Sequence, residues 1–169
     1  MKFDSSMKIM FVCKGNICRS PLAHAVFAKK VRDAGLSDRF AIESSGTISH
    51  HVGYPPDPRT VAVGAAHGVS VTHLARHLKP ADLDNYDRIF VMDRDNLATV
   101  LALAKTELQR SRVKLFRAFD SDTRDGDEVP DPYYGGERGF EEVFAIVDRT
   151  SERLLAALIA TEEEASTES

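Results

Sequence analysis

The sequence predicts an α/β fold with a single domain, in which a four-stranded parallel sheet is flanked by helices on both faces. Short apolar runs alternate along the chain with amphipathic segments at helical spacing, and this alternation is typical of a parallel sheet covered on both sides. A length of 169 residues suits one domain with its own core. Neither a repeat nor a linker interrupts residues 8–160.

Four short segments rich in apolar residues are predicted to be strands. The first, KIMFV, is apolar after its opening lysine, which indicates burial on both faces of the sheet. The predicted strands cover residues 8–12, 39–43, 87–92 and 113–116.

Helices are predicted where apolar residues recur every three or four positions. In the first helix these residues are Leu22, Val26, Phe27 and Val31, and Gly35 ends it. Two long loops, one rich in Ser, Gly and Pro and one polar, separate these elements. The predicted helices cover residues 21–34, 59–67, 96–106 and 137–160, and the long loops cover residues 44–58 and 120–136.

The predicted domain spans residues 1–169. Residues 1–6 form an N-terminal extension in this prediction, and residues 161–169 (TEEEASTES) form an acidic tail. The tail has almost no apolar side chains to bury, so we expect it to be disordered.

Composition argues against several classes of function. The net charge of −4 provides no basic surface for nucleic acid or anionic lipid. No apolar run is long enough to span a bilayer, and the start MKFDSSMKIMFV lacks the apolar segment of a signal peptide. Only two cysteines occur, which suits a reducing compartment. We therefore expect a cytoplasmic protein. Export by a route that needs no signal peptide is the alternative that stays open.

The stretch VCKGNICRSP, residues 12–21, lies between the first predicted strand and the first predicted helix. Ser20 and Pro21 suit the cap and the first position of a helix, so the preceding loop lies where free backbone N–H groups and the helix dipole attract an anion. Gly15 and Asn16 tolerate the left-handed backbone that turns N–H groups inward. The sequence therefore predicts a phosphate-binding loop at this point.

Two side chains of this loop indicate its chemistry. Arg19 offers a planar, permanently charged fork to a phosphate. Cys13 would be held as a thiolate by the same positive field, placed for in-line attack on phosphorus. The lack of a second cysteine pair disfavours a zinc knuckle, and the lack of a Gly-Lys-Ser/Thr sequence excludes a Walker-type loop. An inert buried cysteine stays open on these grounds alone.

The ten-residue string is similar to the signature loop of the low-molecular-weight protein tyrosine phosphatases. Four further segments resemble that family in family order: ESSGT (43–47), PPDPR (55–59), VMDRDN (91–96) and DPYYGG (131–136). The resemblance covers about residues 8–160. It implies a parallel sheet of four strands and a two-step hydrolysis through a phosphocysteine, with no metal and no cofactor.

The resemblance also implies a role for each matching residue. Cys13 matches the nucleophile, Arg19 the residue that grips the phosphate oxygens, and Asp131 the general acid. Ser20 matches a hydroxyl that donates to the thiolate. The other expected loop and substrate-binding residues are Lys14, Gly15, Asn16, Ile17, Cys18, His50, Tyr133 and Tyr134.

Asn16 resembles the asparagine that fixes the strained turn of the loop. Ser44 and His73 match the partners that hold this asparagine by hydrogen bonds. His50 departs from the family, because many relatives carry an aromatic residue at this position on the pocket rim. A histidine there is expected to make binding at the rim sensitive to pH.

Asp131 is one of several carboxylates on the polar loop, and composition does not choose among them. Pro130 and Pro132 bracket Asp131 and restrict its backbone, which distinguishes it from the others. The adjacent tyrosines are expected to wall a pocket for an aryl ring, with packing or phosphorylation as alternatives. The competing carboxylates are Asp120, Asp122, Asp125, Asp127 and Glu128.

Three other functions stay open beside a phosphotyrosine phosphatase. An arsenate reductase of the same fold needs further cysteines, which the chain lacks. A protein-arginine phosphatase tends to carry threonine where this chain has Ile17, whose apolar side chain favours a flat phosphotyrosine ring. A non-catalytic phosphotyrosine-binding module would not need Cys13 and Asp131 together.

The expected partners are phosphotyrosine proteins, and in bacterial relatives these are often autophosphorylating tyrosine kinases. Phosphate or another oxyanion is expected in the loop, and neither nucleic acid nor membrane is expected as a partner. A monomer is expected, with a weak dimer as the alternative.

Two further residue pairs raise hypotheses. His73 and His77 are four residues apart, but no carboxylate or thiol nearby in the sequence completes a ligand set, so no metal site is expected. Cys18 lies five residues from Cys13. It either fills space as a small apolar group or forms a reversible disulfide with oxidised Cys13, and both interpretations stay open.

Overall fold

The sheet has four parallel strands, which confirms the predicted fold class. The structure, a computed structural model, describes residues 6–168, with the backbone alone for residue 134 and residues 164–168. The strands are hydrogen-bonded in the order β2-β1-β3-β4. They are β1 (Met7–Cys13), β2 (Phe40–Gly46), β3 (Arg88–Val91) and β4 (Val113–Leu115).

Helices surround this sheet, and the described residues form six of them. The pattern predicted the four longer ones and missed α3 and α5, which are too short to show helical periodicity. The helices are α1 (Arg19–Asp33), α2 (Pro58–Ala66), α3 (Asp82–Asn85), α4 (Arg94–Leu103), α5 (Glu107–Ser111) and α6 (Glu137–Glu168).

Alternate side chains of β1 enter two hydrophobic cores, one on each face of the sheet. Ile9 and Phe11 belong to the core that includes residues of α1 and α6, whereas Met10 and Val12 belong to the core against α4. All four side chains are fully buried. Because β1 is central and buried on both faces, the loop that follows it starts from a rigid base.

The register of β1 and β2 determines where the candidate site lies. Cys13 is the last residue of β1 and pairs with Gly46, the last residue of β2. A Cβ atom on Gly46 would lie 2.7 Å from the carbonyl oxygen of Lys14, so only glycine allows β2 to approach the loop this closely. The carboxyl ends of β1 and of the adjacent edge strand β2 therefore hold the loop, as is usual for sites in open parallel sheets.

The predicted end of the last helix is wrong. The acidic segment from residue 161 is helical through Glu168, because α6 continues past its apolar face. Thr161 Oγ1 donates to the carbonyl of Ala157 (3.0 Å), and Glu162 forms an ion pair with Arg39, so these contacts support the extended helix. Residue 169 and residues 1–5 of the predicted extension lie outside the described residues.

Helix α1 begins one residue before its predicted cap. Cys18 occupies the N-cap position without a side-chain cap, and Arg19 is the first helical residue. Ser20 is thus inside the helix, and its hydroxyl is directed to Cys13 instead of capping. Across residues 6–168, no helix combines the length and apolar character needed to cross a bilayer.

Candidate active site

The predicted phosphate loop connects β1 to α1 and contains one strained backbone position. Asn16 has a φ of 58°, and it is the only non-glycine residue with a positive φ among the residues described. Gly15 does not share this conformation. A Cβ atom there would lie 3.0 Å from Nδ1 of His51, so its small size is what the site requires. Such strain persists only where neighbouring groups hold it.

The sulfur of Cys13 lies at the base of this loop. Its side chain is buried, and Sγ is 3.0 Å from Oγ of Ser20 and accepts from the backbone N–H of Asn16 at 3.3 Å. Ser20 Oγ accepts from Asn16 Nδ2 at 2.7 Å. Ser20 can therefore donate its proton either to Cys13 Sγ or, over the longer distance of 3.4 Å, to the carbonyl of Ser45. A thiolate at Cys13 would be the stronger acceptor, and the contacts with Ser20 and Asn16 would both stabilise it.

Asn16 is held on both ends of its side-chain amide. Besides its bond to Ser20, Nδ2 donates to Ser44 Oγ at 3.2 Å, and Oδ1 accepts from the backbone N–H of Arg76 at 2.9 Å. The predicted contact of Ser44 is present. The predicted hydrogen bond from His73 is not formed, because His73 Nδ1 lies 3.3 Å from Glu43 Oε1 instead, and the N–H of Arg76 is the donor to the amide oxygen.

The guanidinium of Arg19 is buried and oriented by the protein on one side. Nη1 donates to Asp93 Oδ2 (2.7 Å) and to the carbonyl of Val129 (2.9 Å), while Nη2 lies 3.7 Å from Asp131 Oδ2. Burial alone would lower the pKa of Arg19, but the charge of Cys13 and the hydrogen bond to Asp93 outweigh it, and the pKa is raised. The group is a fixed cation in the cavity that Cys13 also lines.

Asp131 differs from the other carboxylates of its loop because it lines this cavity. Its side chain is 39% exposed, and Oδ1 accepts from the backbone N–H of Tyr133 at 3.0 Å, which caps the short turn Pro132–Tyr134. The other carboxylates of the loop do not line the cavity, and each accepts a hydrogen bond from a group outside it. These carboxylates are Asp120, Asp122, Asp125, Asp127 and Glu128.

Arg59 fixes the segment that carries Asp131. Its Nη2 donates to the carbonyl of Tyr133 (3.1 Å) and its Nη1 to the carbonyl of Gly135 (3.2 Å). Asp57 in turn accepts from Arg59, and the guanidinium lies 4.6 Å from the ring centre of Phe140. The sequence did not predict this role of Arg59, because its carbonyl partners lie 74 and 76 positions further along the chain.

The cavity above the sulfur has a volume of about 330 Å³. His50 and Tyr133 lie on its wall as predicted. The predicted contact of Tyr134 falls on a side chain that the structure does not describe. Two further lining residues, Ile48 and His51, were missed because only the tertiary structure brings their loop to the cavity. The cavity is lined by Cys13, Lys14, Gly15, Ile17, Cys18, Arg19, Ile48, His50, His51, Asp131 and Tyr133.

The two cysteines of the loop have different environments. Both are free thiols and both line the cavity. Burial raises the pKa of Cys18 to about 12, and the charges of Asp57 and Cys13 act in the same direction. Cys18 is therefore a neutral thiol at pH 7, whereas Cys13 receives the two hydrogen bonds that stabilise an anion.

A second cluster of polar side chains lies beside Ser44. His24 Nδ1 is 3.2 Å from Ser44 Oγ, and the ring centres of His24 and His73 are 5.1 Å apart. Burial, together with the neighbouring His73, lowers the pKa of His24 to about 4, and burial lowers the pKa of His73 despite Glu43. Both rings are neutral at pH 7. His77, four residues after His73, does not belong to this cluster, and its Nε2 lies 3.2 Å from the carbonyl of Thr47.

A family match and similar known proteins both indicate the same protein family. Residues 8–164 match the family described as low molecular weight phosphotyrosine protein phosphatase. A low molecular weight protein-tyrosine-phosphatase of Streptomyces coelicolor is 44% identical over 152 residues, covering 89% of this chain and 93% of that protein.

Two solved structures share the fold over nearly their whole length. A protein tyrosine phosphatase from Entamoeba histolytica, with Hepes in its active site, superposes with a TM-score of 0.88 at 39% identity, covering 93% of this chain and 99% of that chain. A Drosophila arginine phosphatase has a TM-score of 0.83 at 31% identity, covering 90% and 98%. With the loop, its fixed arginine and the aspartate beside it, these matches show that the chain belongs to the low-molecular-weight phosphotyrosine protein phosphatase family.

Proposed function

We propose that this protein hydrolyses phosphotyrosine in phosphoproteins and small aryl phosphates, through a phosphocysteine on Cys13. The observation that carries the proposal is that one cavity contains the sulfur of Cys13, the guanidinium of Arg19 and the carboxylate of Asp131. A nucleophile, a fixed cation and an acid around one phosphate-sized space form the minimum set for this reaction.

In the first step the Cys13 thiolate attacks phosphorus in line with the leaving phenolic oxygen. The S–P bond forms while the P–O bond breaks, and the electron pair stays on the oxygen. Asp131 gives its proton to this oxygen, so that tyrosine leaves as a neutral phenol. Arg19 stabilises the equatorial oxygens through the side of its guanidinium that Asp93 does not occupy.

In the second step water hydrolyses the phosphocysteine. The Asp131 carboxylate accepts a proton from the attacking water, which forms the new P–O bond as the S–P bond breaks. The electron pair returns to sulfur, where the Ser20 hydroxyl and the N–H of Asn16 stabilise the thiolate. Inorganic phosphate is released and the enzyme is regenerated without any redox change.

A protein-arginine phosphatase is the second candidate, favoured by the likeness to the Drosophila enzyme. Ile17 argues for phosphotyrosine, because it lines the cavity and adds an apolar surface on which a flat ring can pack. An arsenate reductase would need relay cysteines beyond the two present in the chain.

The test compares two substrates and two variants. Wild type should turn over a phosphotyrosine peptide much faster than a phosphoarginine peptide. Cys13→Ser should abolish turnover but keep measurable vanadate binding, because the N–H groups and Arg19 remain while serine is a far weaker nucleophile. Ile17→Thr serves as the specificity variant. Faster phosphoarginine turnover by wild type would replace the proposed substrate, and wild-type rates in Cys13→Ser would overturn the mechanism.

The proposal extends to the partner and the location. We take the physiological substrate to be an autophosphorylating tyrosine kinase, met by a monomeric enzyme in the cytoplasm, where the two free thiols stay reduced. An Asp131→Asn variant, which binds phosphoprotein but turns it over slowly, should retain such a kinase from lysate of the source cell and release it with vanadate. Retention of phosphoproteins other than tyrosine kinases would contradict this partner.

A further inference from the structure

We propose that His24, Glu43 and His73 form a binding site for a divalent transition metal of the Zn²⁺ class, separate from the active-site cavity. One ligand atom from each of the three side chains lies within 4.8 Å of the other two. The residues come from α1, from β2 and from the segment between α2 and α3, so the site exists only in the folded chain.

The two histidines of the cluster line a cavity of their own, which gives a metal both access and room for water ligands. Glu43 is not among the lining residues, and the one arginine among them is Arg32. This cavity has a volume of about 360 Å³, and its walls include His24 and His73 together with Pro21 and Val69. None of these residues lines the cavity above Cys13. A metal here would therefore leave the nucleophile and the substrate pocket free.

The nitrogen atoms of the two rings are available in the way a metal site requires. His73 Nε2 is buried and has no hydrogen-bond partner, a state that usually needs an explanation. His24 Nδ1 contacts Ser44 Oγ, which leaves Nε2 as the second ligand nitrogen. A hydrogen bond on the far nitrogen is what orients metal-binding histidines in general.

Glu43 supplies the anionic ligand. Its Oε1 lies 3.3 Å from His73 Nδ1 and accepts from the backbone N–H of Ser44 at 3.0 Å. Because His73 would bind the metal through Nε2, Glu43 must leave Nδ1 and turn an oxygen toward the metal. Arg76 is the nearest competing cation, with Nε 3.9 Å from Glu43 Oε2, but Asp82 pairs with its guanidinium at 3.0 Å. The carboxylate is thus free enough to take a metal as its main partner.

The ligand type selects the metal. Two neutral imidazoles and one carboxylate suit Zn²⁺, whereas Mg²⁺ and Ca²⁺ prefer oxygen ligands alone. Tetrahedral Zn²⁺ places its ligand atoms roughly 3.3 Å apart, so the side chains would close by up to about 1.5 Å from their present separation. Rotation of the partly exposed rings into the cavity provides that movement, and water completes the coordination.

The sequence did not predict this site because its ligands are distant along the chain. Only the pair His73 and His77 was visible, and no carboxylate lies near it in the sequence. The folded cluster nevertheless lies close to the active centre. Ser44 Oγ contacts both His24 Nδ1 and Asn16 Nδ2, and Asn16 donates to Cys13, so three hydrogen bonds separate a ligand from the nucleophile.

The experiment uses the full chain carrying Cys13→Ser, because the thiolate of Cys13 would bind Zn²⁺ by itself. Calorimetric titration with Zn²⁺ at pH 7 should show one site per chain. Adding His24→Gln or Glu43→Gln should weaken binding by about 10–100-fold, the range expected even for losing a group that only orients a ligand. His67→Gln is the matched control. His67 Nε2 also lies 3.0 Å from a carboxylate, that of Glu141, but this pair is exposed and does not belong to the cluster of three ligands.

Co²⁺ serves as a second, spectroscopic probe, because its visible bands report which kinds of ligand atom bind the metal. In the Cys13→Ser chain it should give visible bands of a nitrogen and oxygen site, and His24→Gln should remove them. Thermal melting checks that each variant is folded. Equal Zn²⁺ affinity in the parent and in His24→Gln and Glu43→Gln, no binding by the parent, or a sulfur-to-cobalt band that identifies Cys18 as ligand would each overturn the proposal.

Discussion

Two arginine–aspartate clusters lie at the two ends of the polar loop, and the same residue types have different environments in each. At the first end, the side chain of Asp120 is fully buried and accepts from Arg117 (2.7 Å) and from Arg149 (2.6 Å). At the second end, Asp131 is 39% exposed and only 3.7 Å from Arg19. A buried carboxylate whose oxygens are hydrogen-bonded to two arginines stabilises the fold, whereas a partly exposed carboxylate can exchange protons with a substrate.

The arginines differ in the same way. Arg117 donates to Asp120, to Asp125 and to the carbonyls of Asp122 and Glu128, so its guanidinium is satisfied on all sides. Arg19 donates from Nη1 to two protein acceptors and directs Nη2 toward Asp131. In each pair, the residue that we propose to act on the substrate, Asp131 or Arg19, is the one whose hydrogen-bonding capacity the protein leaves partly unused.

The largest expected difference concerns the two aspartates. Asp131→Asn should lower kcat on phosphotyrosine by about 10²–10⁴-fold, the range for losing a general acid, with little change in the melting temperature. Steady-state kinetics on aryl phosphates should show a smaller loss for leaving groups that need no proton. Asp120→Asn is the matched control and should keep kcat per folded molecule. Equal losses across leaving groups would transfer the acid role to another carboxylate.

The next largest difference is expected between the lysine variants of Arg19 and Arg117. Arg19→Lys should lower kcat/KM on the order of a hundredfold, because lysine cannot hold two phosphate oxygens in a fixed plane. Arg117→Lys should leave kcat/KM within a few-fold of wild type and instead lower the free energy of unfolding measured in urea. Near-normal kinetics in Arg19→Lys would show that the phosphate is held by the backbone alone.

Asp120 should also control stability in acid. Burial alone would raise its pKa, but hydrogen bonds from Arg149 and Arg117 lower it to about 2. A carboxyl with a lowered pKa in the folded state stabilises fully above its ordinary value of 3.8 and loses this contribution as pH falls toward 2.

This linkage gives a measurable difference between wild type and Asp120→Asn. At pH 7 the variant should be less stable by ~3–5 kcal/mol, because two arginines lose their shared partner. The gap should narrow by ~2 kcal/mol between about pH 5 and pH 2, as wild type protonates the same group. Urea denaturation across this range provides the measurement. A gap that does not change with pH would mean that Asp120 is not the ionised partner.

The sequence predicted the parts of the site that are close together in the chain. Cys13 ends one strand, and Arg19 and Ser20 begin the next helix, so local spacing was enough to predict the loop. Asp131 was chosen correctly as the carboxylate that reaches the cavity, on the strength of the family resemblance and two flanking prolines.

The parts that the sequence did not reveal depend on contacts between distant segments. Asp93 orients Arg19 across 74 positions, and the backbone of Arg76 replaces the expected His73 as the partner of Asn16. A backbone N–H has no signature in the sequence, so this exchange was not predictable. The acidic end of α6 was misjudged for a related reason, since the ion pair between Arg39 and Glu162 appears only after folding.

The smallest expected effect concerns the two cysteines, which repeat the comparison within one loop. Cys13 accepts hydrogen bonds that stabilise a thiolate, whereas Cys18 is buried with its pKa raised to about 12. Peroxide should therefore convert Cys13 first, to a sulfenic acid. This oxidised group is neutral, so one of the charges that raise the pKa of Cys18 is then removed.

Cys18 can next attack the sulfenic sulfur, which forms the disulfide and releases water, and a thiol reductant reverses this step. After peroxide and then dithiothreitol, wild type should recover several-fold more of its own starting activity than Cys18→Ser, whose Cys13 oxidises further and irreversibly. The advantage of wild type should grow as pH rises, because only the thiolate of Cys18 attacks. If wild type and Cys18→Ser recovered equal fractions of their activity at every pH, the thiol of Cys18 would only fill space beneath the loop. Sharing a cavity with Cys13 would then not make Cys18 reactive.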